Sequence, residues 1–167
     1  MSKKTRQTKS NPKISKRMKK TTLFAGTFDP YTLGHHSITE RALKLFDKVI
    51  IAIGHNSGKK TMSTVEERMA TIKELYRDEP RIEVTAYEGL TVDHAKACGA
   101  HSLLRGIRSV KDFEYERDLA DLNREISGLE TVLLISEPQY SAISSSAVRE
   151  LIGYGKDVSK FLPKNEQ

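Results

Sequence analysis

The stretch from Thr22 to His36 constrains the fold of this chain more than any other stretch. It opens with an apolar run, Thr22–Ala25, which predicts a buried strand. A glycine-containing loop follows, and then apolar residues at helical spacing that continue through Leu45 and Phe46. A strand, a glycine turn and a helix together aim backbone N–H groups and the positive helix end at an anion. The stretch therefore predicts a phosphate site, and His35 at the start of the helix can donate to the same anion.

The rest of the chain alternates predicted strands with predicted helices. Four further strands are predicted at residues 48–54, 81–87, 102–105 and 130–136, with helices at about 65–76, 92–99 and 111–127, from 143 onward, and at 157–162. Residues 48–54 are apolar almost throughout, which is typical of a strand covered on both faces. The helix after them can begin with a capping box of Ser63 and Glu66 or of Thr64 and Glu67. The repeated strand–helix order predicts an α/β fold with a doubly wound, five-stranded parallel sheet of the Rossmann-like type. The apolar stripe of the fourth helix is Tyr115, Leu119, Leu122 and Ile126.

Composition narrows the class of protein. The chain has 167 residues, which predicts one domain, and no apolar run approaches the roughly 20 residues needed to span a bilayer. Its single cysteine, Cys98, excludes an internal disulfide framework and is expected to pack rather than react. No apolar segment follows the basic N-terminus, so we expect no secretory signal and a cytoplasmic location.

The net charge of +6 comes from one end of the chain. Of the 28 basic and 22 acidic residues, residues 1–20 hold nine basic and no acidic ones. Residues 21–167 therefore have 19 basic against 22 acidic side chains, a net charge of −3. We predict a disordered basic extension at 1–20, which is a solvated tail or a choice of upstream start site, and a folded domain at 21–167. Nucleic-acid or membrane binding would depend on the extension alone.

Basic and hydroxyl side chains follow several of the predicted strands. Lys59 and Lys60 come after the second strand, and Arg105 and Arg108 enclose a glycine at the end of the fourth. Such ends form the ligand edge of an open α/β sheet, and paired arginines suit bidentate phosphate contacts. Residues 144–146 are three serines that open a helix, where they form a second anion site or serve only as caps.

These motifs resemble those of one enzyme family. The run Gly26–Pro30 followed by Thr32-Leu33-Gly34-His35 resembles the T/H-x-G-H signature of the nucleotidyltransferase superfamily, and its leading G-T-F-D-P resembles bacterial phosphopantetheine adenylyltransferases. The family's further motifs recur in order, as Lys59-Lys60 before Glu66-Glu67-Arg68, Gly89-Leu90-Thr91, Arg105-Gly106-Ile107-Arg108, Asp112-Phe113-Glu114-Tyr115-Glu116 and Ile143-Ser144-Ser145-Ser146. The chain departs from the family pattern at Thr61 and Ser63, which leaves the shape of the Lys59 loop open.

The resemblance implies an activity and a set of site residues. The family transfers AMP from ATP to 4′-phosphopantetheine, giving dephospho-coenzyme A and pyrophosphate. The acceptor substrate would be held by Thr27, Lys59, Thr91 and Arg105, and the catalytic residues would be His35, Lys59 and Arg105. The ATP ligands would be Thr27, Phe28, His35, Gly106, Ile107, Arg108, Glu116, Tyr140, Ser141, Ala142, Ile143, Ser144, Ser145 and Ser146. The resemblance also implies magnesium carried on the ATP phosphates rather than by protein ligands, a homohexamer, and feedback inhibition by coenzyme A.

Two other functions compete with this one. A related nucleotidyltransferase could act on nicotinate mononucleotide or glycerol phosphate, although the Arg105–Arg108 and Asp112–Glu116 blocks argue against it. A nucleic-acid-binding module driven by residues 1–20 would lose its affinity steeply with salt and on deletion of that extension.

Overall fold

The computed structural model describes residues 18–58 and 60–164. Within them, a parallel sheet of five strands has the order β3-β2-β1-β4-β5. The strands are β1 (Thr21–Gly26), β2 (Lys48–Gly54), β3 (Ile82–Tyr87), β4 (Ser102–Ile107) and β5 (Glu130–Ile135). The helices are α1 (Leu33–Ala42), α2 (Val65–Leu75), α3 (Thr91–Ala97), α4 (Val110–Ser127) and α5 (Ser145–Gly153), with 3₁₀ turns at Pro138–Tyr140 and Ser159–Phe161. The predicted fold class is confirmed.

The core lies on both faces of the sheet. Because successive side chains of a strand point to opposite faces, Ile51 and Ile53 pack with α1 and α2, while Ile50 and Ala52 pack with Val92 of α3. The side chains of residues 49–53 are all 0% exposed. Burial on both faces explains why this strand reads as a continuous apolar run.

The strand order reverses between β1 and β4. The chain winds outward from β1 through β2 to β3, then returns to pair β4 with the other side of β1. In open α/β sheets a crevice forms at this switch point, beyond the carboxyl ends of the strands. Gly26 ends β1 and Arg105 lies near the end of β4, so the two strands deliver the glycine turn and an arginine to one crevice.

Three details of the helices differ from the sequence predictions. The first helix ends at Ala42, where i to i−3 hydrogen bonds tighten the chain toward β2 and leave Leu45 54% exposed. The last predicted helix is only the 3₁₀ turn Ser159–Phe161. In α4, Tyr115, Leu122 and Ile126 are exposed, whereas Glu116 is buried. Three of the four residues of the predicted stripe are therefore largely exposed, and Leu119 is half-buried.

The remaining predictions for the fold concern the cap of α2, membrane-spanning helices and the basic extension. Of the two possible capping boxes, Thr64 and Glu67 form the one at α2, with both reciprocal hydrogen bonds present. In the described part of the chain, no helix combines the length and the apolar character that crossing a membrane requires. The predicted extension at 1–20 lies outside the described residues except for Met18–Lys20.

Candidate active site

A polar cavity of about 320 Å³ occupies the crevice between the ends of β1 and β4. The glycine turn, the first turn of α1, the end of β4, the start of α4 and the start of α5 all contribute to its wall. The lining residues are Phe24, Ala25, Gly26, Thr27, Phe28, Thr32, Gly34, His35, Ile38, Arg105, Gly106, Arg108, Asp112, Glu116, Ser136, Ile143, Ser144, Ser145, Ser146 and Arg149. We call it the switch-point cavity.

His35 enters this cavity as a hydrogen-bond donor. The backbone N–H of Thr32 donates to Nδ1 of His35 at 3.0 Å, and the Thr32 hydroxyl lies 3.1 Å from the same atom. An Nδ1 that accepts a backbone N–H carries no proton, so in the neutral ring the proton is on Nε2. Burial, with Arg108 and Arg105 nearby, lowers the pKa of His35 to about 4. The imidazole is therefore neutral at pH 7 and presents an N–H.

Aromatic rings fix the orientation of His35. The Phe28 ring meets it edge to face, with 5.0 Å between centroids, and the Tyr31 ring stacks on it at 5.4 Å. Phe28 has a φ of 52°, in the left-handed region. Gly26 allows this turn, because a Cβ there would lie 2.8 Å from the Phe28 ring. The glycine of the first motif thus lets an aromatic ring pack against the histidine.

His36 points away from the cavity. Its Nδ1 lies 2.7 Å from the Tyr76 hydroxyl, and the two rings stack. The same hydroxyl lies 2.9 Å from that of Tyr31. His36 therefore belongs to a partly buried hydrogen-bond network with Tyr76 and Tyr31, and it does not line the cavity.

Arg105 is held rigidly in the cavity wall. Its Nε and Nη2 donate to the two carboxylate oxygens of Glu116 at 2.8 and 2.7 Å, and its Nη1 donates to the Ala25 carbonyl at 2.6 Å. Burial by itself would lower the pKa of Arg105, but the hydrogen bonds and charge of Glu116 outweigh that effect and raise it. The guanidinium is a fixed positive charge in the wall.

Arg108 provides a second positive charge. Its Nε lies 3.4 Å from Oδ2 of Asp112, and that oxygen also accepts the Arg108 backbone N–H at 3.1 Å. Asp112 lies in the first turn of α4, where Ser109 accepts its N–H at 3.1 Å as the helix cap. The start of α4 therefore orients Arg108 beside the cavity.

The first turn of α5 also faces the cavity. Ser144 caps the helix by accepting the N–H of Ala147 at 3.1 Å, and the Ser145 hydroxyl donates to the Pro30 carbonyl at 2.8 Å. The first N–H groups of a helix lack partners within it, so this end is suited to an anion. Ser144 therefore acts as the helix cap, and the second anion site predicted at these serines remains a prediction.

Arg149 lines the cavity, although it belongs to none of the motifs found in the sequence. Its Nη1 donates to the Asp29 carbonyl at 2.6 Å, and its Nη2 donates to Ser146 at 3.2 Å. Helical spacing is the signal that would have found it, since a residue three or four positions after a serine at a helix start lies on the same face. Ser136, just beyond β5, also lines the cavity and lies outside the sequence motifs.

Asp29 joins the glycine turn to the loop before α2. Its carboxylate accepts the backbone N–H groups of Met62 and Ser63 at 2.7 and 3.1 Å, and the residue is 1% exposed. These bonds fix the end of the loop in which Lys59 and Lys60 lie. Lys59 itself is outside the described residues, so its predicted role remains a prediction.

A second cavity, of about 210 Å³, lies on the other side of Arg105. It is lined by Leu23, Ala25, Gly89, Leu90, Thr91, Val92, Leu103, Leu104, Arg105, Leu119, Leu122, Asn123 and Ile126. The hydroxyl of Thr91, at the start of α3, lies 2.7 Å from that of Tyr87. We call this the apolar cavity; Arg105 and Ala25 line both cavities.

The structure brings most of the predicted site residues together. Those that line the switch-point cavity are Thr27, Phe28, His35, Arg105, Gly106, Arg108, Glu116, Ile143, Ser144, Ser145 and Ser146. Thr91 lines the apolar cavity instead. Ile107 is buried in the sheet, and Tyr140, Ser141 and Ala142 precede the lining segment without contributing to the cavity wall. Their predicted contacts with ATP remain predictions.

Carboxylates in the site are paired with arginines rather than gathered together. Glu116 is bound to Arg105 and Asp112 to Arg108. Across residues 18–58 and 60–164, no group of three or more His, Cys, Asp or Glu side chains is arranged to hold a metal ion.

Known proteins of similar sequence point to one activity. Residues 23–151 match the family model described as cytidylyltransferase-like. A phosphopantetheine adenylyltransferase of Porphyromonas gingivalis is 58% identical over 142 residues, covering 85% of this chain and 93% of that protein. The enzyme of the same name from Bacteroides fragilis is 51% identical over 142 residues, covering 85% of this chain and 95% of that protein.

A solved structure supports the fold. The bifunctional NMN adenylyltransferase/ADP ribose pyrophosphatase of Francisella tularensis superposes with a TM-score of 0.67 at 15% identity. The match covers 89% of this chain but only 46% of that longer one. At such low identity the match concerns architecture alone, whereas the sequence relatives are close and match along nearly their whole length. The chain therefore belongs to the cytidylyltransferase-like family and, within it, to the phosphopantetheine adenylyltransferases.

Proposed function

We propose that this chain transfers the adenylyl group of ATP to 4′-phosphopantetheine, giving dephospho-coenzyme A and pyrophosphate. One observation carries the proposal beyond family membership. The polar switch-point cavity and the apolar cavity meet at a single fixed arginine, Arg105. A polyphosphate nucleotide and a phosphorylated apolar arm are two ligands that such a pair of cavities suits.

ATP would occupy the switch-point cavity. The anion-binding groups there are Arg108, the N–H of His35 and the first turn of α5, beside Ser145. They come from three separate elements, so a triphosphate could bridge them. Arg149 of α5, which donates to the Asp29 carbonyl and to Ser146, adds a positive charge to the cavity wall.

The acceptor would place its phosphate beside Arg105 and its pantetheine arm in the apolar cavity. Leu90, Leu103 and Leu119 line that cavity, and Asn123 adds an amide that can pair with the amides of the arm. Thr91 lies at the same cavity, in agreement with its expected role toward this substrate. Thr27 and Lys59 are expected to contact the phosphate as well.

The chemistry requires alignment rather than a general base. The second pKa of a phosphate monoester is about 6, so the attacking oxygen is already mostly ionised at pH 7. This oxygen bonds to the α-phosphorus of ATP, the bond from that phosphorus to the bridging oxygen breaks, and pyrophosphate leaves. His35, neutral and with its proton on Nε2, would donate to a phosphoryl oxygen as negative charge develops there. The fixed charges of Arg105 and Arg108 would offset the repulsion between two polyanions.

Magnesium would arrive with the nucleotide as part of the substrate. The cavity carboxylates, Asp112 and Glu116, are already engaged by arginines. A Mg²⁺ ion usually keeps several waters and binds substrate phosphates. The ion would reduce the negative charge that the attacking phosphate meets.

A homohexamer and inhibition by coenzyme A are further parts of the proposal. The exposed apolar stripe of α4, with Tyr115 65%, Leu122 55% and Ile126 52% exposed, suits contact with another copy of the chain. Ile126→Glu should lower the mass measured by light scattering, whereas Glu125→Gln, also on α4, should not.

Coenzyme A contains both the pantetheine arm and an adenosine, so it should compete with the acceptor. The cytoplasmic location stays a prediction.

One assay tests the proposed reaction. The purified chain is incubated with MgATP and 4′-phosphopantetheine, and pyrophosphate release and the product mass are both measured. We expect dephospho-coenzyme A in equal amount to pyrophosphate. Nicotinate mononucleotide and glycerol phosphate are the control acceptors. Turnover of either control, with none of phosphopantetheine, would overturn the proposal in favour of a related nucleotidyltransferase.

A further inference from the structure

We infer that Tyr31 is a positioning residue for His35, and that hydroxyl contacts with Thr39 and Tyr76 hold it in that role. This inference rests on the proposed function, in which the N–H of His35 acts on the ATP phosphates. Tyr31 lies in the loop between β1 and α1, and it does not line the switch-point cavity. An effect of Tyr31 on the reaction therefore has to pass through a residue that does line the cavity.

The Tyr31 ring covers one face of the imidazole of His35. In the described part of the chain, the rings of Phe24, Phe28 and Tyr31 all lie beside this imidazole. Only the Tyr31 ring is stacked, at 25° to the imidazole plane, whereas those of Phe28 and Phe24 meet it at 87° and 54°. A stacked ring resists rotation of the imidazole, because rotation would bring the edge of the imidazole against it. Tyr31 thus helps to keep Nδ1 in line with the N–H of Thr32, the contact that leaves Nε2 as the donor.

The position of Tyr31 is in turn set by hydroxyl groups from two helices. Its own hydroxyl lies 2.7 Å from that of Thr39 in α1 and 2.9 Å from that of Tyr76 at the end of α2. All three residues are buried, so water competes little for these contacts. Burial also raises the pKa of Tyr31 well above its ordinary value, so the hydroxyl stays protonated and can both donate and accept. We call these three side chains the hydroxyl network.

The protons of the hydroxyl network match its contacts. The Tyr76 hydroxyl also lies 2.7 Å from Nδ1 of His36, so three contacts join four groups. Three hydroxyl protons fill them if Thr39 donates to Tyr31, Tyr31 to Tyr76, and Tyr76 to that nitrogen. Loss of one hydroxyl would leave a buried partner unsatisfied, which is costly. The network therefore favours a single position of the Tyr31 ring, and through it the end of α2 supports His35.

Steady-state kinetics of two variants separate the Tyr31 ring from its hydroxyl. Tyr31→Phe keeps the ring but loses both hydroxyl contacts, so kcat should fall about three- to tenfold. Tyr31→Leu also loses the stacked ring, and kcat should fall about ten- to hundredfold. Both KM values should change less than about twofold, because Tyr31 lines neither substrate cavity. The same two substitutions at Tyr154, an exposed tyrosine at the end of α5, are the matched controls and should leave kcat unchanged.

Tyr76→Phe tests the contact with α2. The variant removes one of the two hydroxyl partners of Tyr31, so kcat should fall about two- to fivefold. His36→Ala leaves both hydroxyl contacts of Tyr31 in place and should keep a nearly normal kcat. A normal kcat in Tyr76→Phe would overturn the part assigned to Tyr76.

An NMR titration of His35 gives a readout that needs no substrate. Removal of the stacked ring in Tyr31→Leu opens one face of the imidazole to water, so the pKa of His35 should rise by about 0.5 to 1. Arg105 and Arg108 remain nearby and keep it below its ordinary value. Tyr154→Leu should leave the midpoint unchanged. A merely structural role for Tyr31 would lower the melting temperature without moving this midpoint, and that result would overturn the inference.

A double-mutant cycle with His35→Ala shows whether Tyr31 acts through the histidine. If it does, Tyr31→Leu should lower kcat by less than about twofold in the His35→Ala background. Losses that multiply would overturn the inference, because they would mean that Tyr31 acts independently of His35. If Tyr31→Leu does not fold, Tyr31→Phe takes its place in the cycle, and a normal kcat in that variant would equally overturn the inference. Failure of the unmutated chain to form dephospho-coenzyme A would instead refute the proposed function, and the titration of His35 would still test its contact with Tyr31.

Discussion

The backbone N–H of Thr32 lies 3.0 Å from Nδ1 of His35, and it donates to that nitrogen. Thr32 immediately precedes α1, and His35 is in the first turn of that helix. The contact therefore assigns the ring proton to Nε2 before any substrate binds. With Nδ1 occupied as an acceptor, the neutral ring has an N–H to donate, which is what the proposed role of His35 requires.

The pKa of His35 should lie well below that of a free histidine, because burial disfavours the charged ring. In the substrate-free protein its pKa is lowered to about 4, against an ordinary value of 6.5. Between these values the unfolded chain binds a proton that the folded chain does not, so stability falls as the pH falls from 6.5 toward 4. An NMR titration of the imidazole should give a midpoint near 4. His35→Gln should lose less stability over the same interval, and a midpoint of 6 or above would contradict the assignment.

Asp29 should stabilise the folded chain without taking part in the reaction. Asp29→Ala removes the acceptor of two backbone N–H groups, those of Met62 and Ser63. We expect the free energy of unfolding to fall by about 2 to 4 kcal/mol, because two part-buried hydrogen bonds to a charged group are lost and each typically contributes roughly 1.5 to 3 kcal/mol. Asp78→Ala, at an exposed position, should change it by less than about 0.5 kcal/mol. Equal losses in urea denaturation of the two variants would show that Asp29 does not anchor the loop.

Much of the fold could be predicted from local patterns. Residues 49–53 are buried on both faces of the sheet, and that burial requires the continuous apolar run that predicted the strand. The stripe of α4 shows the limit of the same argument. Periodicity identifies an apolar face such as Leu122 and Ile126, but it does not say whether that face meets this chain or another.

The site was predictable where residue types at strand ends carry the chemistry, and not where distant segments pair. His35 and Arg108 follow strands whose ends must meet at one edge of the sheet. By contrast, Arg149 bonds to Asp29 across 120 positions, and no local spacing encodes that contact. The bidentate pair of Arg105 and Glu116 likewise depends on how α4 packs on β4. Sequence patterns also could not show that Thr91 lines a different cavity from His35, because that depends on how the elements pack.

Arg105 should discriminate between the two substrates. Arg105→Ala removes a charge-assisted contact to the acceptor phosphate, so the KM for phosphopantetheine should rise about tenfold or more, with a smaller change for ATP. The variant should also be less stable, because Glu116 is left buried without its partner. Arg117→Ala, at an exposed pair with Asp118, is the control. A rise in the ATP constant alone would mean that the two substrate positions are reversed.

The basic extension should be dispensable for catalysis. Lys20 is already tied to the fold through Asp47, which accepts its N–H at 2.8 Å, whereas Met18 is 77% exposed. A chain that begins at Met18 should therefore keep its melting temperature and its turnover. A fall of many degrees in the melting temperature, measured by circular dichroism, would show that residues 1–17 contribute to the folded structure.

The central claim is that the N–H of His35 acts on the ATP phosphates during the reaction, and adjacent histidines allow a direct test. His35→Ala removes a donor of the kind whose loss typically costs about 10²- to 10³-fold in turnover. His36→Ala removes a ring that contacts Tyr76 and lies away from the cavity, so it should alter stability more than catalysis. Turnover and both substrate constants should be measured for the two variants under the same conditions. We predict that the His35→Ala protein folds, binds both substrates and loses most of its kcat, whereas the His36→Ala protein keeps a nearly normal kcat. A near-normal kcat in His35→Ala, or equal losses of kcat in the two variants, would contradict this role of His35.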